Sequence, residues 1–286
     1  MFPKAPDQHK IGNPLIPNGL GVLYVLFTTV YLFFIYFTGI FDSSNNVSAP
    51  LTLAVCILFG GFMGLLDDWI DLKWRYKAFM PLIAALPLIY FAVESGLRTS
   101  ISLPLFGVLQ FNEFYYFLII PLIVMVVTNT VNQLGGLNGL ETICPTIVIV
   151  GLLGLSSSFT LMLGPILFWL ILSVFNFQGK IFVGNTGSFA IGMTIASFAI
   201  ITDLKRSLII SLLPYVFNSV LILLTIFLFR KRASVVFDGK KLYSKHRRSL
   251  VTLITFHHYL TERQIVISIS FIVLLFTILS VFLEII

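Results

Sequence analysis

Long, uninterrupted apolar runs constrain the fold of this sequence more than any other feature. About nine of them have the length and composition of membrane spans, at approximately 19–41, 49–66, 78–93, 114–134, 142–156, 158–177, 186–202, 207–229 and 265–286. A spanning helix needs roughly 20 apolar residues, and only helices and closed barrels satisfy every backbone group inside a bilayer. Because the runs are continuous and do not alternate with polar residues, they predict an all-α, polytopic membrane helix bundle.

Composition supports this prediction. Hydrophobic residues make up 58% of the 286 residues, charged residues only 10%, and the mean hydropathy is +1.01. A soluble domain of ordinary composition carries about 25% charged residues. We therefore interpret residues 1–286 as a single integral membrane domain. Its two cysteines form no metal-binding or disulfide pattern.

The Lys and Arg residues are divided unequally between the two sides of the predicted bundle. Successive spans place the connecting segments alternately on either side, and one side receives fifteen of the 18 Lys and Arg residues. The other side receives only Arg98, Lys205 and Arg206. The positive-inside rule assigns the richer side to the cytoplasm. The polar motifs described below fall on that side, so we predict a cytoplasmic active site and no nucleic-acid partner.

The first polar motif, GLLDDWIDLKWRYK, occupies residues 64–77. Asp67 and Asp68 end an apolar run, where carboxylates are costly unless they are solvated or partnered. Adjacent carboxylates suit Mg²⁺, which leaves positions free for substrate phosphates. The alternative is a solvated helix end anchored by neighbouring cations. Lys77 is likewise suited either to neutralising a phosphate or to reaching the membrane surface.

The second motif, TNTVNQLGGLNGLE, occupies residues 128–141. The amides of Asn129, Asn132 and Asn138 are suited to hydrogen bonds with ribose, uracil or a sugar amide. Its glycines allow backbone N–H groups to approach a phosphate. The alternative is a broken helix with capping asparagines. Three amides at a membrane edge favour a binding site.

Two further segments carry polar or basic residues. VGNTGS, at 183–188, opens an apolar run with Asn185, and a helix N-terminus binds anions readily, although a plain helix cap explains the same residues. The segment 230–264 is rich in Lys and Arg and holds three of the four histidines, including His246. Clustered cations bind diphosphates or anionic lipid headgroups.

Taken in order, these motifs resemble those of the polyprenyl-phosphate N-acetylhexosamine-1-phosphate transferases. DDWIDLKWRYK and TNTVNQLGGLNGLE are most similar to the eukaryotic and archaeal branch that acts on UDP-GlcNAc and dolichyl phosphate. The bacterial muramoyl-pentapeptide branch has an Asp where this sequence has Gly135. The likeness extends over nearly the whole chain.

The resemblance implies a reaction. GlcNAc-1-phosphate, or a related HexNAc-1-phosphate, passes from a UDP-sugar to a polyprenyl or dolichyl phosphate, and UMP leaves, as the first step of lipid-linked oligosaccharide synthesis for protein glycosylation. The implied cofactor is Mg²⁺, with Mn²⁺ as an alternative. The implied location is the plasma membrane of an archaeon or the ER membrane. Direct attack by the lipid phosphate and an aspartyl intermediate both stay open, and so does a homodimer.

The resemblance also implies roles for individual residues. Asp67 and Asp68 are the implied catalytic residues, and Asp68 and Asn185 are the implied metal ligands. The implied substrate-binding residues are Lys77, Asn129, Asn132, Asn138, Glu141, Arg230, Arg232 and His246.

This sequence departs from the family pattern at several points. Asn185 stands where the family has a metal-binding Asp, and the basic motif aligned with 230–232 lacks its histidine, for which His246 is the candidate substitute. Asn18 follows Pro17 where the family has Glu, and the family has a further span before the lysine-rich segment at which this sequence starts. These departures leave open a catalytically weak homologue that binds UDP-sugar or lipid phosphate without efficient turnover.

Overall fold

The computed structural model describes residues 2–41, 47–104, 107–230 and 233–285, most of which are helical. A short π-helical turn, Tyr115–Ile119, leads directly into the fifth α-helix. The α-helices within these residues are α1 Gly21–Thr38, α2 Ala49–Ile70, α3 Trp74–Ala84, α4 Leu86–Glu94, α5 Ile120–Gln133, α6 Leu140–Leu155, α7 Phe159–Phe177, α8 Gly184–Ile201, α9 Lys205–Ser211, α10 Leu213–Phe229, α11 Leu250–Ile254 and α12 Glu262–Ile285.

Three antiparallel two-stranded hairpins account for the described β-structure. The first precedes α1, the second lies between α4 and α5, and the third lies between α10 and α11. Their strands are β1 Lys4–Pro6 with β2 Leu15–Pro17, β3 Ser100–Leu103 with β4 Gly107–Gln110, and β5 Val236–Phe237 with β6 Leu242–Tyr243.

The predicted all-α, polytopic membrane bundle is confirmed. Seven helical segments are long and apolar enough to cross a membrane, and α9 with α10 forms an eighth candidate that bends by 53°. The fifth predicted run, 142–156, is the shorter helix α6, so the described residues contain seven or eight full spans by length. Two runs that the sequence predicts as continuous are interrupted, at Ala85 and at Leu212. A proline lies at the second position of each following helix, where its missing N–H costs no helical hydrogen bond.

Helix α8 lies at the centre of the bundle. It contacts α1, α2, α4, α5 and α6, and 83% of its residues are buried. Small residues such as Gly192 and Ala196 allow close approach of its neighbours, the usual basis of helix association in membranes. A buried hydrogen bond of 2.7 Å between the hydroxyls of Tyr24 and Thr194 joins α1 to α8. The polar start of α8 is therefore held in position by helices on several sides.

The outward faces of the peripheral helices are apolar, as a lipid-facing surface requires. Phe34, Leu228 and Phe271 are among the large exposed apolar side chains. Trp69 and Trp74 are exposed at the end of α2 and the start of α3, next to the predicted acidic motif. Tryptophans concentrate at the membrane–water interface, so this motif lies at a membrane edge.

The opposite end of the bundle carries few cations. Arg98 and Lys205 both pair with Asp203, at 3.1 Å (Nε–Oδ2) and 2.6 Å (Nζ–Oδ1). Lys205 also donates to the backbone oxygen of Arg98 and lies over the ring of Tyr115. Two of the three cations predicted on this side thus share a single carboxylate partner.

Candidate active site at the end of α2 and the start of α8

Asp67 is buried in the turn that ends α2. Its Oδ1 accepts the ammonium of Lys77 at 2.7 Å and the backbone N–H of Leu72 at 3.0 Å. Its Oδ2 has no hydrogen-bond partner among the described residues. Asp71 ends the helix at a positive φ of 45°, and Lys77 lies 3.4 Å from its carboxylate. Lys77 therefore holds the acidic turn together, and one buried oxygen of Asp67 stays available as an acceptor.

Asp68 caps the N-terminus of α8 from a different helix. Its Oδ1 accepts the backbone N–H of Asn185 at 2.9 Å. Its Oδ2 accepts the backbone N–H and the hydroxyl of Thr186 at 2.9 and 2.8 Å. A carboxylate at this position satisfies free helical N–H groups and complements the positive end of the helix dipole. Asp68 nevertheless stays exposed, so its carboxylate is open to a ligand.

Glycines allow the backbones at the site to approach closely. A Cβ on Gly64 of α2 would lie 2.2 Å from the backbone oxygen of Asn185. Gly184 has a φ of +71°, and a Cβ there would lie 2.8 Å from Oδ2 of Asp68 and 3.2 Å from Oδ1 of Asn18. A larger residue at Gly64 would push α2 and α8 apart, and one at Gly184 would displace the carboxylate of Asp68. The position of Asp68 against α8 therefore depends on these glycines.

The amide-rich motif joins this site through the end of α5. Nδ2 of Asn132 donates to Oδ1 of Asn185 at 3.3 Å, so the second and third motifs are in direct contact. Asn129 lies one turn earlier, and its Nδ2 donates to the backbone oxygens of Met125 and Ala78 at 2.9 and 3.2 Å. Asn129 thus ties α5 to α3, beside Lys77.

Glu141 and Asn138 lie around a cavity next to the same site. Glu141, in the first turn of α6, is close enough to Ser188 and Asp68 to interact with both. The cavity has a volume of about 160 Å³, and Asn138 and Glu141 line it together with the N-terminal segment and Phe182. Asn138 contacts Asp7 of the N-terminal segment, with Nδ2 2.9 Å from Oδ2. The cavity therefore extends the acidic site towards the start of the chain.

The predicted residues of the basic segment are not among the hydrogen-bond partners of this group in the described part of the chain. Arg230 ends α10 with a φ of 50° and is exposed, and Arg232 lies outside the described residues. His246 is close to Ser244, with Nδ1 3.3 Å from Oγ. Burial and the nearby Arg248 lower the pKa of His246 below its ordinary value of 6.5. No hydrogen bond between described residues joins Arg230 or His246 to Asp68.

Four residues that the sequence motifs do not identify as functional support the site. Asn176 accepts the backbone N–H of Gly139 at 2.9 Å through Oδ1 and donates to the backbone oxygen of Ile181 at 2.9 Å. The only sequence signal for this residue is its amide within an apolar run.

The other three residues lie in segments near the two ends of the sequence. Asn18 lies near Asp68, because a Cβ on Gly184 would be close to side-chain oxygens of both residues. Asp7 and Glu262 carry no motif and are found through their contacts with Asn138.

The donor groups of this site fit Mg²⁺. Asp68 offers an exposed carboxylate, Asn132 and Asn185 offer amide oxygens, and Asp67 has an unpartnered buried oxygen. Mg²⁺ prefers oxygen ligands and keeps positions for phosphates, and Mn²⁺ accepts the same class of ligand. The backbone N–H groups of Asn185 and Thr186 at the start of α8 already donate to Asp68, so the carboxylate and amide oxygens are the groups left for a ligand. The residues can therefore hold a metal–diphosphate unit.

Fold and site together define a polytopic membrane protein that can handle a phosphorylated ligand at one membrane edge. The chain belongs to glycosyl transferase family 4, whose family model matches residues 50–203. The match begins in α2 and ends just after α8, so it includes the acidic turn, the amide-rich motif and the helix start at Asn185.

Individual relatives agree with this assignment. A protein of Saccharolobus solfataricus is 32% identical over 289 residues, covering 97% of this chain and 87% of its own length. It is provisionally named a UDP-N-acetylglucosamine–dolichyl-phosphate N-acetylglucosaminephosphotransferase. The Dictyostelium discoideum protein of that name is 28% identical, covering 74% of this chain and 62% of the relative. A phospho-N-acetylmuramoyl-pentapeptide-transferase of Oceanobacillus iheyensis is 27% identical, covering 99% and 87%.

Proposed function

We propose that this protein transfers GlcNAc-1-phosphate from UDP-GlcNAc to a dolichyl or related polyprenyl phosphate, releasing UMP. The observation that carries the proposal is the direct contact among Asp68, Asn185 and Asn132, because it joins the three motifs into one group of phosphate and metal ligands. The names of the archaeal and eukaryotic relatives supply the substrates. Such a reaction would begin lipid-linked oligosaccharide synthesis.

The site is suited to neutralising and aligning a diphosphate. Phosphoryl transfer depends chiefly on charge stabilisation and in-line positioning. Asp68 and Asn185 would hold Mg²⁺, which neutralises the negative charge of the diphosphate oxygens when it is bound. Lys77 pairs with Asp67 and Asp71 beside the site, where it offsets part of the negative charge of the acidic turn. Asn132 fixes the side chain of Asn185, so the amide oxygen is oriented before the substrate binds.

We favour direct attack by the lipid phosphate over an aspartyl intermediate. Both oxygens of Asp68 accept hydrogen bonds from the start of α8, and hydrogen bonding reduces the nucleophilicity of a carboxylate. Asp67 is buried against Lys77, which restricts the approach of a phosphorus atom. In the direct reaction, a lipid phosphate oxygen bonds to the sugar-bearing phosphorus. The bond between that phosphorus and the oxygen of UMP breaks, and UMP leaves with the electron pair.

We propose that the site faces the cytoplasm. The support is the distribution of Lys and Arg, fifteen of which fall on the side of the acidic turn in the predicted topology. The exposed Trp69 and Trp74 agree with a site at the interface, where a soluble UDP-sugar can meet a lipid phosphate. An archaeal plasma membrane and an ER membrane both provide this arrangement.

A UMP-release assay tests the proposed function. The purified full-length protein in lipid nanodiscs is given UDP-GlcNAc, UDP-GalNAc or UDP-MurNAc-pentapeptide with dolichyl or undecaprenyl phosphate, in the presence of Mg²⁺ or EDTA. We expect UMP release that requires lipid phosphate and the metal and is fastest with UDP-GlcNAc and dolichyl phosphate. The exposed, distant Glu94 provides a matched acid-to-amide control, Glu94→Gln. Absence of UMP release with every pair of substrates would refute the proposal.

A further inference from the structure

The carboxamide of Asn138 is bound on one side by two carboxylates. Its Nδ2 donates to Oδ2 of Asp7 at 2.9 Å and to Oε1 of Glu262 at 3.0 Å. The backbone N–H of Asn138 donates to the same Oε1 at 2.8 Å. The residue is only 5% exposed, yet its Oδ1 has no hydrogen-bond partner among the described residues. A buried acceptor without a partner is costly, and Oδ1 keeps the capacity to accept a hydrogen bond.

The two carboxylates determine which way the amide points. A carboxamide normally exchanges its oxygen and nitrogen by a half-turn with little change in shape. Here the exchange would place Oδ1 of Asn138 about 3 Å from two carboxylate oxygens, with no hydrogen between them. Both N–H bonds of Nδ2 are used by Asp7 and Glu262. Asn138 can therefore act towards any further group only as an acceptor, through Oδ1.

Asp7 is held in its charged form by its own neighbours. Burial raises the pKa of this carboxyl, but hydrogen bonds from Lys10 and Asn138 outweigh burial and bring the pKa below its ordinary value. Lys10 pairs with Oδ2 at 2.9 Å and donates to the backbone oxygen of Gly179 at 3.2 Å. Glu262 begins α12, so segments from both ends of the chain fix one amide.

The position of Asn138 links this arrangement to the substrate. Asn138 lines the cavity that also contains Glu141, which lies near Asp68. Resting on the proposed function, we infer that Asp7 and Glu262 are positioning residues that hold Asn138 as an obligatory hydrogen-bond acceptor for an N–H or O–H donor of the UDP-sugar. A ligand that presents only an acceptor atom to Oδ1 of Asn138 is disfavoured, because two acceptor atoms would then face each other with no hydrogen between them.

A double-mutant cycle tests this inference in the full-length protein. Asp7→Asn and Glu262→Gln each replace one of the two obligatory acceptors by an amide that can also donate, so the preference of Asn138 for its present orientation is weakened. For each single variant we expect the Kd of UDP-GlcNAc, measured by calorimetry without lipid phosphate, and the KM to rise about tenfold, with kcat within about twofold. In an Asn138→Ala background, the same changes at residues 7 and 262 should add almost nothing.

Two controls separate positioning from a merely structural role. Glu94→Gln removes an exposed acid at the other end of the bundle and should leave Kd and KM unchanged. A melting curve of each variant reports loss of folding, and Glu262→Gln provides a second test from another element if Asp7→Asn is unstable. Effects that persist in the Asn138→Ala background, or that lower kcat and melting temperature together while Kd stays constant, would overturn the inference.

The same measurements distinguish this inference from the proposed function. A wild-type protein that binds UDP-GlcNAc and shows the expected coupling, but releases no UMP with any lipid phosphate, would refute the transferase proposal and support the positioning role. A protein that releases UMP but shows additive effects at Asp7 and Asn138 would refute only the positioning role. Failure of the wild type to bind UDP-GlcNAc would overturn both.

Discussion

Replacement of Asp68 by Asn should both weaken the contact between α2 and α8 and abolish most activity. Oδ2 of Asp68 accepts two hydrogen bonds from Thr186, at 2.9 and 2.8 Å. A hydrogen bond to a charged group contributes about 1.5–3 kcal/mol, and the low end applies because Asp68 is exposed. An amide keeps its oxygen towards the two Thr186 donors, so its NH₂ group faces the backbone N–H of Asn185. That bond is lost, and the other two lose the contribution of the carboxylate charge. The expected destabilisation is therefore about 3 kcal/mol.

Melting and turnover measure the two effects separately. For a domain of this size, about 3 kcal/mol corresponds to a decrease in melting temperature of at least about 6 °C. UMP release should fall at least about 10²-fold, because a preorganised charge at the reacting diphosphate is lost as well. Thr186→Val removes only the hydroxyl bond and should lower the melting temperature by about 3 °C with a much smaller loss of activity. Wild-type melting and wild-type UMP release in Asp68→Asn would refute the reasoning.

Three further predictions concern other parts of the site. Asn185→Asp adds a second carboxylate beside Asp68, so the Mg²⁺ concentration for half-maximal UMP release should fall about tenfold; an unchanged Mg²⁺ dependence would exclude residue 185 as a ligand. Gly184→Ala combines a φ of +71° with a Cβ 2.8 Å from the Asp68 carboxylate, and we expect a lower melting temperature and little UMP release, whereas wild-type behaviour would contradict the close packing. Because burial and Arg248 lower the pKa of His246 below 6.5, its ring is neutral above that pH, and a pH profile of His246→Asn between pH 6.5 and 8 should parallel that of the wild type.

The membrane fold was predictable because each span carries its own signal. Continuous apolar runs predict helices without knowledge of their neighbours, and each of the nine runs is helical. The interruptions at Ala85 and Leu212 were not predicted, although Pro87 and Pro214 offered a signal. The apolar run at α6 is helical, but the helix is shorter than the other spans. Counting apolar runs therefore does not give the number of helices that are long enough to cross a membrane.

The site was only partly predictable, because its decisive contacts join distant residues. Proximity of the acidic turn to Asn185 follows from topology, but the capping of α8 by Asp68 links positions 117 residues apart. Asn129 is an implied substrate-binding residue, and its hydrogen bonds to the backbone oxygens of Ala78 and Met125 also give it a structural role that no local pattern predicted. Glu262 lies 124 residues from Asn138 and stands alone in the sequence, so no local pattern could identify it. The substrate-binding roles of the predicted residues stay predictions.

The close approach of α2 to α8 at Gly64 has a mechanical consequence. At this point the two helix backbones are in direct contact, with no side chain between them. A change of rotamer therefore cannot widen or narrow the gap. The two helices can respond to a ligand here only by moving as whole bodies, which their many neighbours resist. Adaptation to substrates of different shape would therefore be left to the hairpins and connecting segments around the cavity, while the end that we propose to hold the phosphates would keep fixed dimensions.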